Sequence, residues 1–387
     1  MEAASGARGT NRRGRARVTI MDVGKRAGVS PATVSRVFNQ SGGAAPVRWA
    51  TRRRVLEAAR ELGYRPNRAA RVLVRQRSGL IGVLLPSFSG GFVSEVMDGL
   101  VEEVHGAGYE TVFAQYGSIP TGLRRALDHL LEMRVEGIVL YPDKSAAIED
   151  ALAVEELKQM PAVLVDLAVD GLPLPLVTSD DASGIRAAVD HLVSLGHGRI
   201  AHLAGPSFFS TARVRSQAFR EAMAGHGLPV PEEYVGHYDW HCDTAVEAAR
   251  RLFECEPRPS AVVAAGDEGA AGVLQAAREA GLRVPGDLAV VGFADILLCH
   301  TWSPPLTTVR QPKRALGEVA ARLVVGIIAG EAPEDDTAVH LLPTELVVRE
   351  SCGARRLAVG LHAAASVGSV GAGRVTTAGA EGSRPLA

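Results

Sequence analysis

Residues 19–39 read TIMDVGKRAGVSPATVSRVFN, and their pattern decides the fold of the amino-terminal region. Apolar Ile20, Val23 and Ala27 recur at helical spacing, Gly28 interrupts them, and Ala32, Val34 and Val37 resume the run. Two short helices joined by a tight turn, a helix-turn-helix, are therefore expected. Thr19 is placed to cap the first helix, with Asp22 three residues on as in a capping box. Ser30 caps the second, and Pro31 takes its first position, where no backbone donor is needed. The face left free by the apolar residues carries Pro31, Ala32 and Arg36, and an arginine there can reach guanine O6 and N7 in a major groove.

A Gly-Val-Ser turn alone would signal only a helical hairpin, but the whole stretch is more specific. It resembles, nearly residue for residue, the DNA-reading headpiece of the LacI/GalR family of bacterial transcription repressors, whose pattern runs T-I-x-D-V-A-x-x-A-G-V-S-x-x-T-V-S-R-V-x-N. Gly24 departs from it, standing where the family usually has Ala. The resemblance implies DNA contacts from Thr19, Ser30, Pro31, Ala32, Thr33, Ser35, Arg36 and Asn39. Ala32 with Arg36 is a pair the family uses on operators with a central C-G step, so such a site is expected, with Arg36 reading a guanine.

Charge is distributed accordingly. Residues 1–78 hold 18 Lys and Arg against 4 Asp and Glu, a net +14; the remainder holds 24 against 39, a net −15. The near-neutral total of −1 thus hides a basic block that coincides with the helix-turn-helix, and phosphate neutralisation supplies most non-specific DNA affinity.

Residues 1–17 are Gly, Ala, Ser and Arg without periodicity and should form a disordered basic arm. Residues 18–65 form the DNA-binding domain. Within it QSGGAAP makes a flexible loop, about three residues longer than the family's, before a third helix over Thr51 to Leu62, joined by Val47 and burying Val55, Ala58, Ala59 and Leu62. Residues 66–78 match the family's hinge. Pro66 and Asn67 start a helix too short to stand alone, since isolated helices need about 12 residues or more. The resemblance implies that the hinges of two subunits pair in a minor groove, with Leu73 wedged into the central base step and Ala70 allowing close approach.

From Gly79 the pattern becomes short β-branched runs alternating with amphipathic helices: LIGVLLP, YETVFAQ, VEGIVLY, PAVLVD, RIAHLAGP, YVGHYD, SAVVAAGD and LAVVGF. Such alternation means parallel sheets with right-handed crossovers. The eight strands divide into two halves near Val177 to Asp181, and late strands at Leu306 to Val309 and Leu341 to Val348 should add to the sheets. The fold class is α/β: an all-α headpiece followed, over 79–350, by what resembles the periplasmic-binding-protein-like core of two doubly wound subdomains around a cleft. Residues 351–387, rich in Ala, Gly, Ser and Val, should be a disordered tail, and they show no leucine heptads for a tetramerising coiled coil.

Ligands of open α/β sheets bind outside the carboxyl ends of strands. Those ends present Ser87, Phe88 and the nearby Phe92, then Asp166, Asp180, the segment Ser210 to Arg215, Asp239 with Trp240, and Asp267. Aromatic faces with carboxylates and a guanidinium suit a sugar or nucleobase. The resemblance places Arg215 on the arginine that clamps effector hydroxyls or carboxylates, Trp240 and Phe92 on stacking aromatics, and Asp180 on a common polar contact. In GFADILLCH, Ala294 stands where the family usually has an effector-binding aspartate and only Asp295 remains, so either the effector lacks the hydroxyl pair that aspartate receives or the cleft has drifted.

The sequence shows no GxSxG elbow, Walker A loop or HExxH motif, so no enzyme is expected; a sugar-binding module and a sugar hydrolase are the competing classes. The four cysteines have no CxxC or metal-ligand spacing, and neither metal nor cofactor is expected. Without a secretory h-region or membrane-length apolar run, a cytoplasmic protein is expected. Its expected partners are a double-stranded DNA operator, a small-molecule effector such as a sugar, and a second copy in a homodimer. The function implied is a ligand-responsive transcription regulator, a repressor by family habit.

Overall fold

The computed structural model describes residues 18–39, 47–65, 77–88, 91–117, 121–143, 151–331 and 337–354. The expectations for the arm 1–17, the loop 40–46 and the hinge residues Asn67, Ala70 and Leu73 lie outside them. The chain divides between Ser78 and Gly79 into two compact units.

The first unit holds α1 (Ile20–Ala27), α2 (Pro31–Asn39) and α3 (Trp49–Leu62). Thr19 Oγ1 accepts from the Asp22 amide while Asp22 Oδ2 accepts from the Thr19 amide at 2.8 Å, so the capping box closes at both ends. Gly28, at φ 64°, ends α1 in the left-handed region that glycine adopts without a Cβ clash. A Cβ on Gly24 would stand 2.9 Å from the Val29 carbonyl oxygen, so the family's usual Ala would require this turn to open slightly. Val23, Val34 and Val55 are fully buried at the meeting of the three helices, with Ala27, Val37, Ala58 and Ala59 around them. Arg26 bridges to Glu61 across α1 and α3 at 2.6 Å; the pair is exposed, and such bridges contribute about 0–1 kcal/mol, so apolar packing holds this unit together.

The second unit contains two six-stranded sheets. One has the order β11-β5-β4-β3-β1-β2, built from β1 (Leu80–Leu85), β2 (Glu110–Gln115), β3 (Gly137–Leu140), β4 (Ala162–Val165), β5 (Leu176–Ser179) and β11 (Val339–Leu342). The other, β12-β10-β9-β8-β6-β7, is built from β6 (Ile200–Ala204), β7 (Val235–His237), β8 (Ala261–Ala264), β9 (Ala289–Ala294), β10 (Thr307–Arg310) and β12 (Glu345–Val347). Every pairing is parallel except β10 with β12. Strands β1, β3, β4, β8 and β9 are buried along their whole length, the expected state for parallel strands covered on both faces by helices.

Three passages join the two lobes. The chain leaves the first lobe after β5 into α7 (Asp181–Ser194), returns after β10 into α11 (Lys313–Ala329), and crosses again between β11 and β12. The run expected as one late strand is thus two: Pro343, which has no N–H for a ladder, separates a parallel strand on one lobe from an antiparallel strand on the other. Leu316, Ala320, Ala321 and Val324 of α11 pack with Ile81, Val83 and Leu85, so a late helix completes the first lobe's core.

The expected tail begins too early. Ser351 and Cys352 are buried, and Ser351 Oγ accepts from the Thr307 amide at 2.8 Å and donates to the Val290 carbonyl at 2.6 Å. The hydroxyl closes the end of the second sheet, so the packed chain runs past 350. Among the described residues no helix is long and apolar enough to cross a membrane, and no group of His, Cys, Asp and Glu is set to hold a metal.

Candidate nucleic-acid interface and ligand cleft

In the first unit α2 buries Val34 and Val37 and leaves Pro31, Ala32 and Arg36 exposed, with Ser30 exposed just before it. Ser30 Oγ accepts from the Thr33 amide at 3.2 Å, which satisfies a free N–H of the first turn and fixes where the helix begins. Thr33 and Ser35 are half-buried at the edge of the exposed face, and Asn39 ends the helix. This face, polar and cationic with an alanine at its centre, is what a major-groove reader requires.

In the second unit a cleft of about 600 Å³ lies at the carboxyl ends of the strands of both sheets. The first lobe supplies Ser87 after β1, Tyr141 and Asp143 after β3, and Asp166 after β4. Phe92 comes from the start of α4 (Gly91–Gly106). The second lobe supplies Phe209, Arg215 of α8 (Ser210–Gly225), Asp239, Trp240, Glu268 of α10 (Asp267–Glu279) and Ala294; Gln311 enters from the passage after β10. Rings stand on both sides: Phe92 and Tyr141 lie 6.3 Å apart, and Trp240 meets Phe209 edge-on at 5.7 Å and Tyr238 at 5.4 Å. Trp240 lies against Gly205, where any Cβ would come within 2.5 Å of the indole.

Arg215 is buried and held from three sides. Its Nε donates to Asp181 Oδ2 at 2.7 Å, its Nη1 donates to the Ala265 carbonyl at 2.7 Å, and its guanidinium lies 4.0 Å from the Phe293 ring centroid. Asp181 also accepts from Ser179 Oγ at 2.5 Å, and Ser179 accepts from Gln311 Nε2 at 2.7 Å. This polar chain connects two passages between the lobes to the cation of the cleft.

Asp166 is buried, with backbone φ 71°, and its Oδ1 has no hydrogen-bond partner. Burial pushes its carboxyl up to about 7, with Arg215 pulling it down and Asp181 raising it further. Trp240, Ala294 and Asp295 also have positive φ, so four of the five such non-glycine residues among those described gather at or beside the cleft. Strained backbone of this kind persists where surrounding structure over-determines it, as at ligand sites. Lys313 shows how: buried, it donates from Nζ to the carbonyls of Ala294 at 2.8 Å and Asp295 at 2.7 Å.

Of the residues expected in the cleft, Phe92, Asp166, Arg215 and Trp240 line it; Asp180, Asp267 and Asp295 do not. Asp180 caps α7, its Oδ1 accepting from the Ser183 amide at 3.0 Å. Asp267 is fully buried and accepts from Thr308 Oγ1 at 2.6 Å and the Ile296 amide at 2.9 Å, tying β10 to the turn after β9. Asp295 accepts from Arg349 at 2.6 Å and Arg310 at 2.8 Å; burial pushes its carboxyl up, but these two bonds outweigh burial and hold it below the usual range. Both bonds run within the second lobe. Tyr141 and Gln311 were not anticipated, although Tyr141 ends the quoted run VEGIVLY and the strand-end rule points to it.

Residues 19–67 match the family described as bacterial regulatory proteins, lacI family, and residues 189–352 match the periplasmic binding protein-like domain. Over 334 residues the chain is 33% identical to the HTH-type transcriptional repressor PurR of Vibrio cholerae, covering 86% of this chain and 97% of that one. The chain belongs to the LacI family. Another LacI-family relative, the ribose operon repressor of Halalkalibacterium halodurans, is 36% identical over 335 residues, 86% of this chain and 96% of the relative. Among solved LacI-family structures, the Lac repressor dimer bound to operator and the anti-inducer ONPF has a TM-score of 0.77 at 31% identity, covering 87% of this chain and 99% of that chain. The complex of the regulator CelR with cellobiose has a TM-score of 0.66 at 32% identity, with coverage of 87% and 100%. As a LacI-family member the chain is a transcription regulator with a helix-turn-helix reader and a periplasmic-binding-protein-like core.

Proposed function

We propose that this regulator is a repressor that binds a pseudo-palindromic operator as a homodimer and changes its grip when a sugar or related metabolite enters the cleft. The observation that carries the reading is the cleft itself: a buried guanidinium fixed by Asp181, a buried carboxyl with a free oxygen at Asp166, and rings on both lobes. Rings that cover a sugar's apolar face beside groups that bond its hydroxyls are the usual means of holding a carbohydrate. The likeness to the CelR–cellobiose complex supports a sugar, and the likeness to the operator-bound Lac repressor dimer supports a palindromic DNA site.

The DNA-binding residues are Thr19, Ser30 to Thr33, Ser35, Arg36 and Asn39, with Asn67, Ala70 and Leu73 acting at the hinge. Arg36 reads a guanine of a central C-G step. In the cleft Arg215 clamps the ligand's polar edge, Trp240 and Phe92 stack on it, and Asp166 receives a hydroxyl. Domains follow the limits 18–65, 66–78 and 79–350, with the packed core carried a few residues further. The protein works by binding rather than catalysis, in the cytoplasm where its DNA is.

Selection of bound duplexes from a random pool tests the reading. Wild type enriches an inverted repeat, and Arg36→Ala binds it about 1–3 kcal/mol more weakly with one base position relaxed. Calorimetry of sugars and nucleosides against wild type and Arg215→Ala tests the cleft. A pool with no inverted repeat, or equal binding by the Arg215 variant, overturns the corresponding half.

A further inference from the structure

The second lobe holds another cavity, of about 320 Å³, that shares no lining residue with the cleft. Both are built on the same elements. At 100° per residue Arg213 and Arg215 point to opposite sides of α8. Thr211 and Arg215 face the cleft, whereas Arg213, Ser216, Gln217 and Arg220, at i, i+3, i+4 and i+7, line the other cavity. The chain after α8 is divided likewise: Val235 and His237 of β7 line this cavity, and Asp239 and Trp240, just beyond the strand, line the cleft.

The lining has a definite chemistry. Its inner wall is apolar, made by Ala212, Phe219 and Val235, with the buried His202 ring stacked on Phe219 at a centroid distance of 4.8 Å. His202 Nδ1 bonds the Val263 carbonyl at 2.9 Å, and burial lowers its pKa to about 4, so this ring adds no charge. The charge comes from the arginines, and no carboxylate lines the cavity. Arg213 Nη1 donates to the Ser207 carbonyl at 3.0 Å, which holds the guanidinium by the mouth. Arg220 meets Glu232 at 3.3 Å, but that carboxylate is 83% exposed, and so weak a surface pair yields readily to an anion.

We propose that this cavity is a second small-molecule site, separate from the effector cleft, for a small organic anion with an apolar body. The body lies against Phe219 and Val235, and the carboxylate or phosphate ester is held between Arg213 and Arg220. Guanidinium groups bind both anions by paired charge-assisted hydrogen bonds.

Saturation-transfer NMR on the full chain tests this, with benzoate and phenyl phosphate as anionic probes and benzyl alcohol as the neutral one. At least one anion binds with a dissociation constant on the order of 1 mM, as suits ligands of this size. It binds Arg278→Gln, a change at an exposed arginine that lines neither cavity, equally well and the Arg213→Gln/Arg220→Gln double variant about tenfold more weakly. The single Arg213→Gln change, at an exposed residue, shows a partial loss and serves where the double variant misfolds. Which anion saturates distinguishes a carboxylate site from a phosphate ester site. Benzyl alcohol binding as tightly as the anions, anion binding unaltered by the Arg213 and Arg220 changes, an equal loss in Arg278→Gln, or no saturation by either anion at about twenty times that concentration each overturns the proposal. None of these results bears on whether sugars enter the cleft.

Discussion

Asp181 Oδ2 lies 2.7 Å from Arg215 Nε, and the two side chains are only 3% and 7% exposed. A buried pair of this kind adds little net stability, because desolvation offsets the attraction, but removing one partner strands the other's charge. Asp181→Leu is expected to destabilise the core by about 3–5 kcal/mol, and Asp181→Leu/Arg215→Met by distinctly less. Urea unfolding of the wild type and the two variants checks this. A double variant no more stable than Asp181→Leu would show that the pair is not coupled.

Asp166 makes stability fall as pH rises. Its folded pKa of about 7 lies above the ordinary carboxyl value of 3.8, so between those pH values the native state holds a proton that the unfolded state has lost. The stabilisation is complete below about pH 4 and is gone above about pH 7, a span of up to about 4 kcal/mol. Urea midpoints at pH 5 and pH 8 should differ more for wild type than for Asp166→Asn. Equal differences would place the titration elsewhere.

Asp295→Ala is expected to lower stability by about 3 kcal/mol, since it leaves the largely buried Arg349 without its carboxylate. Because Asp295 does not line the cleft, ligand affinity measured under fully folded conditions should stay within about twofold, whereas losing a direct charge-assisted contact would cost about tenfold or more. Calorimetry with whichever sugar binds wild type reads the difference. A large loss of affinity at unchanged stability would return Asp295 to the site.

Gly205→Ala would set a methyl group 2.5 Å from the Trp240 ring, which must then move. A cost of about 1–3 kcal/mol and a changed near-ultraviolet tryptophan signal are expected. An unaltered spectrum with wild-type stability would mean the indole does not rest there.

The parts of this molecule legible in its sequence were those written locally. The helix-turn-helix is specified within 21 residues by two caps, one left-handed glycine and two apolar stripes, and each device is seen in the structure. Strand ends were equally visible, and Phe92, Asp166, Arg215 and Trp240 stand at one cleft. What a strand-end carboxylate does was not visible. Asp180 turns to its own helix, Asp267 to Thr308 forty-one residues on, and Asp295 to Arg349 fifty-four residues on. Those bonds depend on which distant segment the sheet order brings alongside, and the same holds for Gln311, which reaches Ser179 across 132 residues. The two fates of 339–347 were hidden likewise, because only the topology separates one edge strand from the other.

The lobe whose strands are made first is closed by α11 and β11, far later in the chain. On the ribosome, at about 5–20 residues per second, its first five strands therefore wait on the order of ten seconds or more for the segment that covers them. During that interval the nascent sheet lacks a neighbour for β5 and a lid for Ile81 and Val83, so it is the stage of this protein's life at which a chaperone has most to hold.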